Sequence, residues 1–191
     1  MRSLIFVISG PSGSGKTTLL KNLLKTKDLR HRLVKSISFT TRPKRPGERN
    51  SKDYCFISQK QFKQKLKDKK ILEWTRYLGY YYATPKDFID RYLAKGKHII
   101  LCLDLKGAFK IKQLYPQNTV LIFVLPPSLG TLKDRIKQRS QKTKKEELVQ
   151  RISLAQKELM AVKRYDYCVL NKDLRTALSE LKEIILNKID T

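Results

Sequence analysis

Acidic residues are scarce in this chain. Seventeen Asp and Glu stand against 42 Lys and Arg, for a formal net charge of +25 over 191 residues. Histidine is scarcer still. His31 and His98 are far apart and lie beside no cysteine, which argues against a zinc site. The three cysteines, Cys55, Cys102 and Cys168, show no C-x-x-C spacing and sit in apolar stretches. They predict reduced, buried thiols and a cytoplasmic protein. No apolar run reaches the length of a membrane span, so no membrane partner is expected. Arg2 and Leu4–Ile8 start like a signal peptide, but no small-residue cleavage site follows, and the run reads as a first strand. Internal repeats and low-complexity segments are absent.

What remains is 40% hydrophobic, enough for one α/β domain with a sizeable core. The basic excess points first to nucleic acid. However, the lysines are spread along the whole chain, with no basic arm and no aromatic RNA-binding signature. The charge therefore reads as solvated lysine faces together with ligands for phosphate. Weak binding of nucleic acid at low salt is expected, and no specific nucleic-acid partner.

The informative stretch is Gly10-Pro11-Ser12-Gly13-Ser14-Gly15-Lys16-Thr17. It follows the apolar run Leu4–Ile8 and precedes a helix-like segment from Thr18 to Leu24. This is G-x-x-x-x-G-K-[ST] in a strand–loop–helix setting. The glycines let the backbone bend round a phosphate chain, and successive N–H groups face the anion at a helix N-terminus. Lys16 is placed to reach the β- and γ-phosphates, and the Thr17 hydroxyl to ligate Mg²⁺. The loop alone does not choose between ATP and GTP.

Further strands are expected at Val34–Ser38, Asp53–Ile57, Ile71–Trp74, His98–Leu103, Thr119–Leu125 and Tyr167–Leu170. Phe39–Glu48, with two prolines and a glycine, reads as an ordered loop, and Leu78–Thr84 as a turn and aromatic ribbon. Helices are expected after Ser58, from Pro85 at its first position, over Gly107–Leu114, after Ser128, over Glu146–Lys163 and over Leu174–Asn187. The charged segment Ser140–Lys145 reads as mobile. Apolar strands alternating with helices imply a parallel sheet covered on both faces. Residues 36–92 break that rhythm and read as an inserted lobe.

A protein that phosphorylates a nucleotide must hold two polyanions end to end. Arg42 and Arg45 offer bidentate forks for the second phosphate, and Tyr54 and Tyr82 offer phenolic donors. Glu73 is an acid among apolar neighbours. A carboxylate accepts from the adjacent N1–H and N2–H of guanine and repels the N1 acceptor of adenine. Ser38 and Thr84 add donors for guanine O6. Such a site discriminates between bases by ~10⁴ or more, because the wrong base leaves buried polar groups unpaired. Taken singly, each of these residues also fits a structural role.

Together, and in this order, they make the chain resemble the guanylate kinase family nearly end to end. The likeness runs through Gly10–Leu20, Ser36–Tyr54, Leu72–Glu73, Gly79–Pro85, Leu103–Gly107, Pro126–Arg139, Arg151–Glu158 and Tyr165–Asp173. It implies a parallel-sheet α/β kinase core at residues 1–35, 93–127 and 153–191. It further implies a mixed α+β GMP-binding lobe at 36–92 and a lid region at 128–152. ATP would lie on Gly10–Lys16, Thr17 and Thr18, with Asn171 near its base. GMP would be held by Ser38, Arg42, Arg45, Tyr54, Glu73, Tyr82, Thr84 and Asp104. Lys16, Arg42, Arg135, Arg139 and Arg151 would carry catalysis, with Mg²⁺ as cofactor. The state would be monomer or homodimer. The chain departs from the family at Cys102, where an acid is usual, at Ala83, Ser51 and Ser140, where glycines are usual, and in its basic lid.

Other readings stay open at this level. Asp104–Gly107 fits the D-x-x-G of a GTPase switch, although Leu174 breaks the N-K-x-D that would accompany it. Guanylate-kinase-like modules bind phosphopeptides, but usually without an intact phosphate loop. Kinases of inosine or deoxyguanosine monophosphate share these requirements.

Overall fold

The computed structural model describes residues 2–139 and 145–191; the side chains of 139 and 145–147 are outside that description. Five parallel strands form the main sheet in the order β2-β7-β1-β8-β9. These are β1 (Ile5–Ser9), β2 (Leu33–Lys35), β7 (His98–Cys102), β8 (Thr119–Leu125) and β9 (Tyr167–Leu170). Residues along β1 alternate between two apolar clusters, as a two-residue period requires. Phe6 and Ile8 face α1 (Lys16–Leu23) and α7 (Leu174–Asp190), meeting Leu19, Leu23, Leu181 and Ile185. Ile5 and Val7 face α3 (Lys86–Ala94) and α4 (Leu105–Leu114), meeting Ile89, Ala108 and Ile111. The sheet is thus buried on both sides, which is why its strands read as unbroken apolar runs.

A second sheet, in the order β4-β3-β6-β5, holds β3 (Phe39–Thr40), β4 (Cys55–Phe56), β5 (Ile71–Tyr77) and β6 (Tyr80–Pro85). Its outer face carries α2 (Gln59–Lys67), which stacks Phe62 on Tyr81 with ring centroids 4.5 Å apart. Ser58 begins α2 with a reciprocal capping box: Gln61 N–H donates to the Ser58 hydroxyl and Ser58 N–H to the Gln61 side chain. Two further helices, α5 (Leu129–Arg139) and α6 (Lys145–Met160), pack through Leu132, Ile136 and Ala155.

The structure corrects several sequence expectations. The Val34–Ser38 strand stops at Lys35, because β2 pairs with β7 only as far as Ile100. The expected loop at Phe39 opens with strand β3, whose partners Cys55–Phe56 and Tyr82–Ala83 are distant in sequence. The aromatic ribbon is a true hairpin: β5 runs on to Tyr77, and Leu78 and Gly79 turn it with positive φ. Pro85 ends β6 and caps α3 from outside. The long helix ends at Met160, ahead of a 3₁₀ turn at Val162–Arg164. Cys168 is exposed and the other two thiols are half-buried, so the three are not the buried set expected. Ser51, where the family favours glycine, takes a left-handed backbone (φ 59°). Of the segment expected to be mobile, residues 140–144 lie outside the described residues, and Lys145 begins α6.

Loss of one N-cap hydroxyl leaves a helix-end N–H unpaired. Ser58→Ala is expected to lower the unfolding free energy by about 1 kcal/mol in urea titration.

Candidate active site

Parallel strands deliver their C-terminal ends to one edge of the sheet, where open α/β sheets bind ligands. The phosphate loop leaves β1, Asp104 follows β7 and Asn171 follows β9 at that edge. Gly10, Gly13 and Gly15 all have positive φ, from 92° to 134°. Space is as restrictive as torsion: a Cβ on Gly10 would lie 2.5 Å from the Val124 carbonyl oxygen, and one on Gly15 2.1 Å from Asn171 Nδ2. The buried Asn171 carboxamide donates to Ser14 O at 2.7 Å. Arg135, from α5, donates to Gly13 O at 3.3 Å. Lys16 Nζ turns back on the loop, donating to Gly10 O and to Pro11 O at 2.8 Å. The loop's carbonyls are therefore held from inside, while Thr17 and Thr18 are exposed at its mouth. Ser14 Oγ is buried without a hydrogen-bond partner.

Asn171 thus buttresses the loop. Asp173 is absorbed as the N-cap of α7, accepting from Thr176 N–H. The Asn171-Lys172-Asp173 hint of a GTPase is therefore structural.

Across the cleft, the lobe sheet presents one face of β5 and β6. Glu73 pairs in register with Thr84, and the Thr84 hydroxyl donates to its carboxylate at 2.5 Å. Glu73 is only 5% exposed. Burial pushes its carboxyl up to about 7; the Thr84 hydrogen bond pulls it down and the Asp104 charge pushes it further up. Gly107 lies beside it, and a Cβ there would come within 2.9 Å of Glu73 Oε2. Asp104 caps α4, accepting from Gly107 N–H at 2.8 Å. Ser38 is buried, in the link between β2 and β3. Ser38, Glu73 and Thr84 are therefore all buried in the lobe, and Asp104 meets Glu73 from the core.

Arg42 is buried, with its guanidinium over the rings of Tyr54 (5.6 Å) and Phe56 (5.7 Å). Tyr54 meets Tyr82 edge to face at 5.9 Å. Arg45 is depressed by burial and by the positive charges of Arg42 and Arg151, which brings the lid-side Arg151 into the same field. Three guanidiniums thus share one region. The side chain of Arg139 lies outside the described residues.

Two acids in this region escaped the sequence reading. Glu48 accepts from Arg42 Nη2 at 2.8 and 3.0 Å through its two oxygens, and from Arg45 N–H at 2.8 Å. Burial raises its carboxyl, but the hydrogen bonds and charges of Arg42 and Arg45 outweigh burial and hold it low. A lone acid three residues after Arg45 was the available signal. Glu158, on α6, is pushed up to about 7 by burial, against the pull of Lys16 and with the push of Asp104. Its position depends on helix packing that sequence spacing does not encode.

A model of the guanylate kinase family matches residues 2–188. The chain belongs to the guanylate kinase family. It is 41% identical over 186 residues to guanylate kinase of Caldanaerobacter subterraneus subsp. tengcongensis, covering 97% of this chain and 87% of that protein. It is 40% identical over 185 residues to the Thermotoga maritima guanylate kinase, with the same coverage. The crystal structure of guanylate kinase from Anaplasma phagocytophilum superposes with a TM-score of 0.81 at 28% identity, covering 98% of this chain and 86% of that one. The parallel-sheet kinase fold and the enzyme class expected from sequence are those of this family. Among the described residues, no helix is long and apolar enough to cross a membrane.

The raised carboxyl of Glu73 makes a pH prediction. Between the ordinary value near 4.5 and about 7 the folded state binds more protons than the unfolded one. Stability contributed by protonated Glu73 is therefore present below that window and is lost as pH rises through it. His98, depressed by burial, works in the opposite sense, so the comparison must be with a variant. From pH 5 to 8 the wild type is expected to lose of order 3 kcal/mol more unfolding free energy than Glu73→Gln. Parallel pH profiles for the two proteins would contradict the burial argument.

Proposed function

We propose that this chain is an ATP:GMP phosphotransferase, moving the γ-phosphoryl group of ATP to GMP or dGMP and releasing ADP and GDP. The observation that carries the reading is Glu73: a buried carboxylate, backed by the Thr84 hydroxyl, facing the cleft across from an intact phosphate loop. In its ionised form it accepts from the two adjacent donors of guanine. Adenine would leave it unpaired, at a cost that excludes adenine from the site. Arg42, Arg45, Tyr54 and Tyr82 hold the acceptor phosphate, and Ser38 and Asp104 complete the base site. The division into core, lobe at 36–92 and lid at 128–152 belongs to the same reading.

Phosphoryl transfer asks the protein mainly for position and charge. Pro11 has no N–H and that of Ser14 donates to Pro11 O, so the N–H groups of the other residues from Gly10 to Thr18 receive the ATP phosphates. Lys16 exchanges its bonds to Gly10 O and Pro11 O for phosphate oxygens. Arg135, Arg139 and Arg151 bring positive charge to the transferring group, where one well-placed arginine is worth ~10³–10⁵ in rate. The acceptor phosphate is already an anion, so no general base is required of Glu73 or Glu158. The exposed Thr17 hydroxyl is the residue that would hold Mg²⁺, and a glycine-lined cradle beside it fits an ion that binds largely through nucleotide phosphates and water. When bound, the ion neutralises charge on the β- and γ-oxygens.

Glu48 acts as a positioning residue here. It takes one side of the Arg42 guanidinium and one N–H of the Arg45 turn, so both roots are fixed before an anion arrives. The phosphopeptide-binding alternative is disfavoured by the intact Lys16 and Thr17.

The deciding assay is ADP formation from ATP–Mg²⁺ with GMP, dGMP, AMP, UMP and dTMP in parallel. GMP- and dGMP-dependent turnover is expected, and turnover with AMP instead would remove the base assignment. Lys16→Ala should reduce kcat by ~10³ or more. Glu73→Gln should raise KM for GMP by at least tenfold with little change in KM for ATP. In the wild type, KM for GMP should fall as pH rises through about 7 and Glu73 ionises. Glu48→Gln should raise KM for GMP about tenfold while leaving KM for ATP unchanged, as loss of one charged hydrogen-bond partner predicts.

A further inference from the structure

We propose that the outer face of the β5–β6 sheet, centred on Trp74, binds single-stranded nucleic acid without regard to sequence. Side chains alternate along β5. Glu73 and Tyr77 face the cleft, while Trp74 and Arg76 face the other way, with Arg76 opposite Tyr81 on β6. Trp74 is the only tryptophan in the chain, and it is 46% exposed. Its ring is fixed rather than loose: it meets Phe62 edge-on at 6.0 Å and Tyr81 at 5.6 Å, while Phe62 and Tyr81 stack on each other. Exposed and braced, the indole is a platform for an unpaired base, and every base offers a π-face.

Cations surround the platform. Arg76 is exposed on the same strand, with its guanidinium 5.9 Å from the Tyr81 ring. Helix α2 contains no acid between Gln59 and Lys67. Its Lys65 leans over Phe39, toward β3, with Nζ 4.8 Å from the ring. Lys63 and Lys67 lie two residues from Lys65 in either direction, about half a turn away. They therefore lie on the side of the helix away from Lys65, and both are exposed. Exposed lysines on the helix that packs on this sheet, and an arginine on the strand itself, thus share one side of the lobe with an exposed ring. Phosphates along a strand need such cations, and a base between them needs such a ring.

The face points to a nucleic-acid strand rather than to an anionic bilayer. Trp74 lies on a sheet, and Leu66 is the one other large apolar side chain exposed on α2. Interfacial helices instead insert a whole apolar stripe. A duplex is also disfavoured, because its bases are already stacked. The sequence reading found no aromatic RNA-binding signature, since Phe62, Trp74 and Tyr81 become neighbours only in the fold. This face is the reverse of the one bearing Glu73, so a bound strand leaves the cleft open.

The test is titration of the full chain with (dT)15 in excess GMP, read by Trp74 fluorescence and by anisotropy of a labelled strand. Saturable quenching is expected, with affinity falling as salt rises. Lys63→Glu/Lys67→Glu should weaken binding at least tenfold and flatten the salt dependence. Trp74→Ala, followed by anisotropy, should weaken it about tenfold with the salt dependence kept. Lys95→Glu/Lys97→Glu, with the same charge change at the other end of the main sheet, should alter binding less than threefold. Retained ADP formation shows that each variant is folded. The proposal is overturned if the two lysine pairs act alike, if Trp74→Ala has no effect, or if quenching is absent. It is overturned equally if duplex DNA binds as tightly, or if phosphatidylserine vesicles bind and (dT)15 does not.

Discussion

A loop that receives phosphate through its N–H groups must put its carbonyls elsewhere. The rest of this structure depends on that constraint. Every peptide turned outward with its N–H has an oxygen turned inward, and an inward oxygen needs a donor. Here the donors come from two distant parts of the chain, Asn171 after β9 for Ser14 and Arg135 on α5 for Gly13, and from the loop's own Lys16 for Gly10 and Pro11. Glycines at 10 and 15 are required as much by the closeness of Val124 and Asn171 as by their torsions. The phosphate loop is therefore an outcome of the sheet order β1-β8-β9, which sets those neighbours beside it.

The cleft concentrates positive charge that burial alone would resist. Arg42 and Arg45 lose hydration and repel each other and Arg151, and Arg45 is depressed for these reasons. Glu48 relieves part of that cost with a two-pronged hydrogen bond to Arg42. Tyr54 and Phe56 shield the guanidinium from the side. An arriving phosphate would complete the neutralisation. The lobe is thus assembled in a state that favours an anion before the anion is present.

Much of this was legible in the sequence, for identifiable reasons. Strands β1 and β8 lie inside the main sheet and are buried on both faces, so they could be read as unbroken apolar runs. The phosphate loop carries its chemistry within eight consecutive residues. The lobe was less legible. Strands β3 and β4 are two residues long and exist only through partners far away in the chain. Glu158 and the neighbours of Asn171 were missed because each acts on something remote in sequence, whereas Glu48 was missed although its partners Arg42 and Arg45 are local. Cys168 misled because an apolar tetrapeptide on the edge strand β9 can still leave alternate side chains in solvent.

Gly107 has a mechanical meaning beyond packing. Its bare backbone lets the Glu73 carboxylate of the lobe rest against the first turn of a core helix, where Asp104 also stands. Burial, with the Asp104 charge added to it, raises the Glu73 carboxyl, so a proton on Glu73 relaxes the contact. The spot is therefore a fulcrum with an electrical setting. A group that bonded the Glu73 carboxylate would therefore meet the lobe sheet and the core helix at one point.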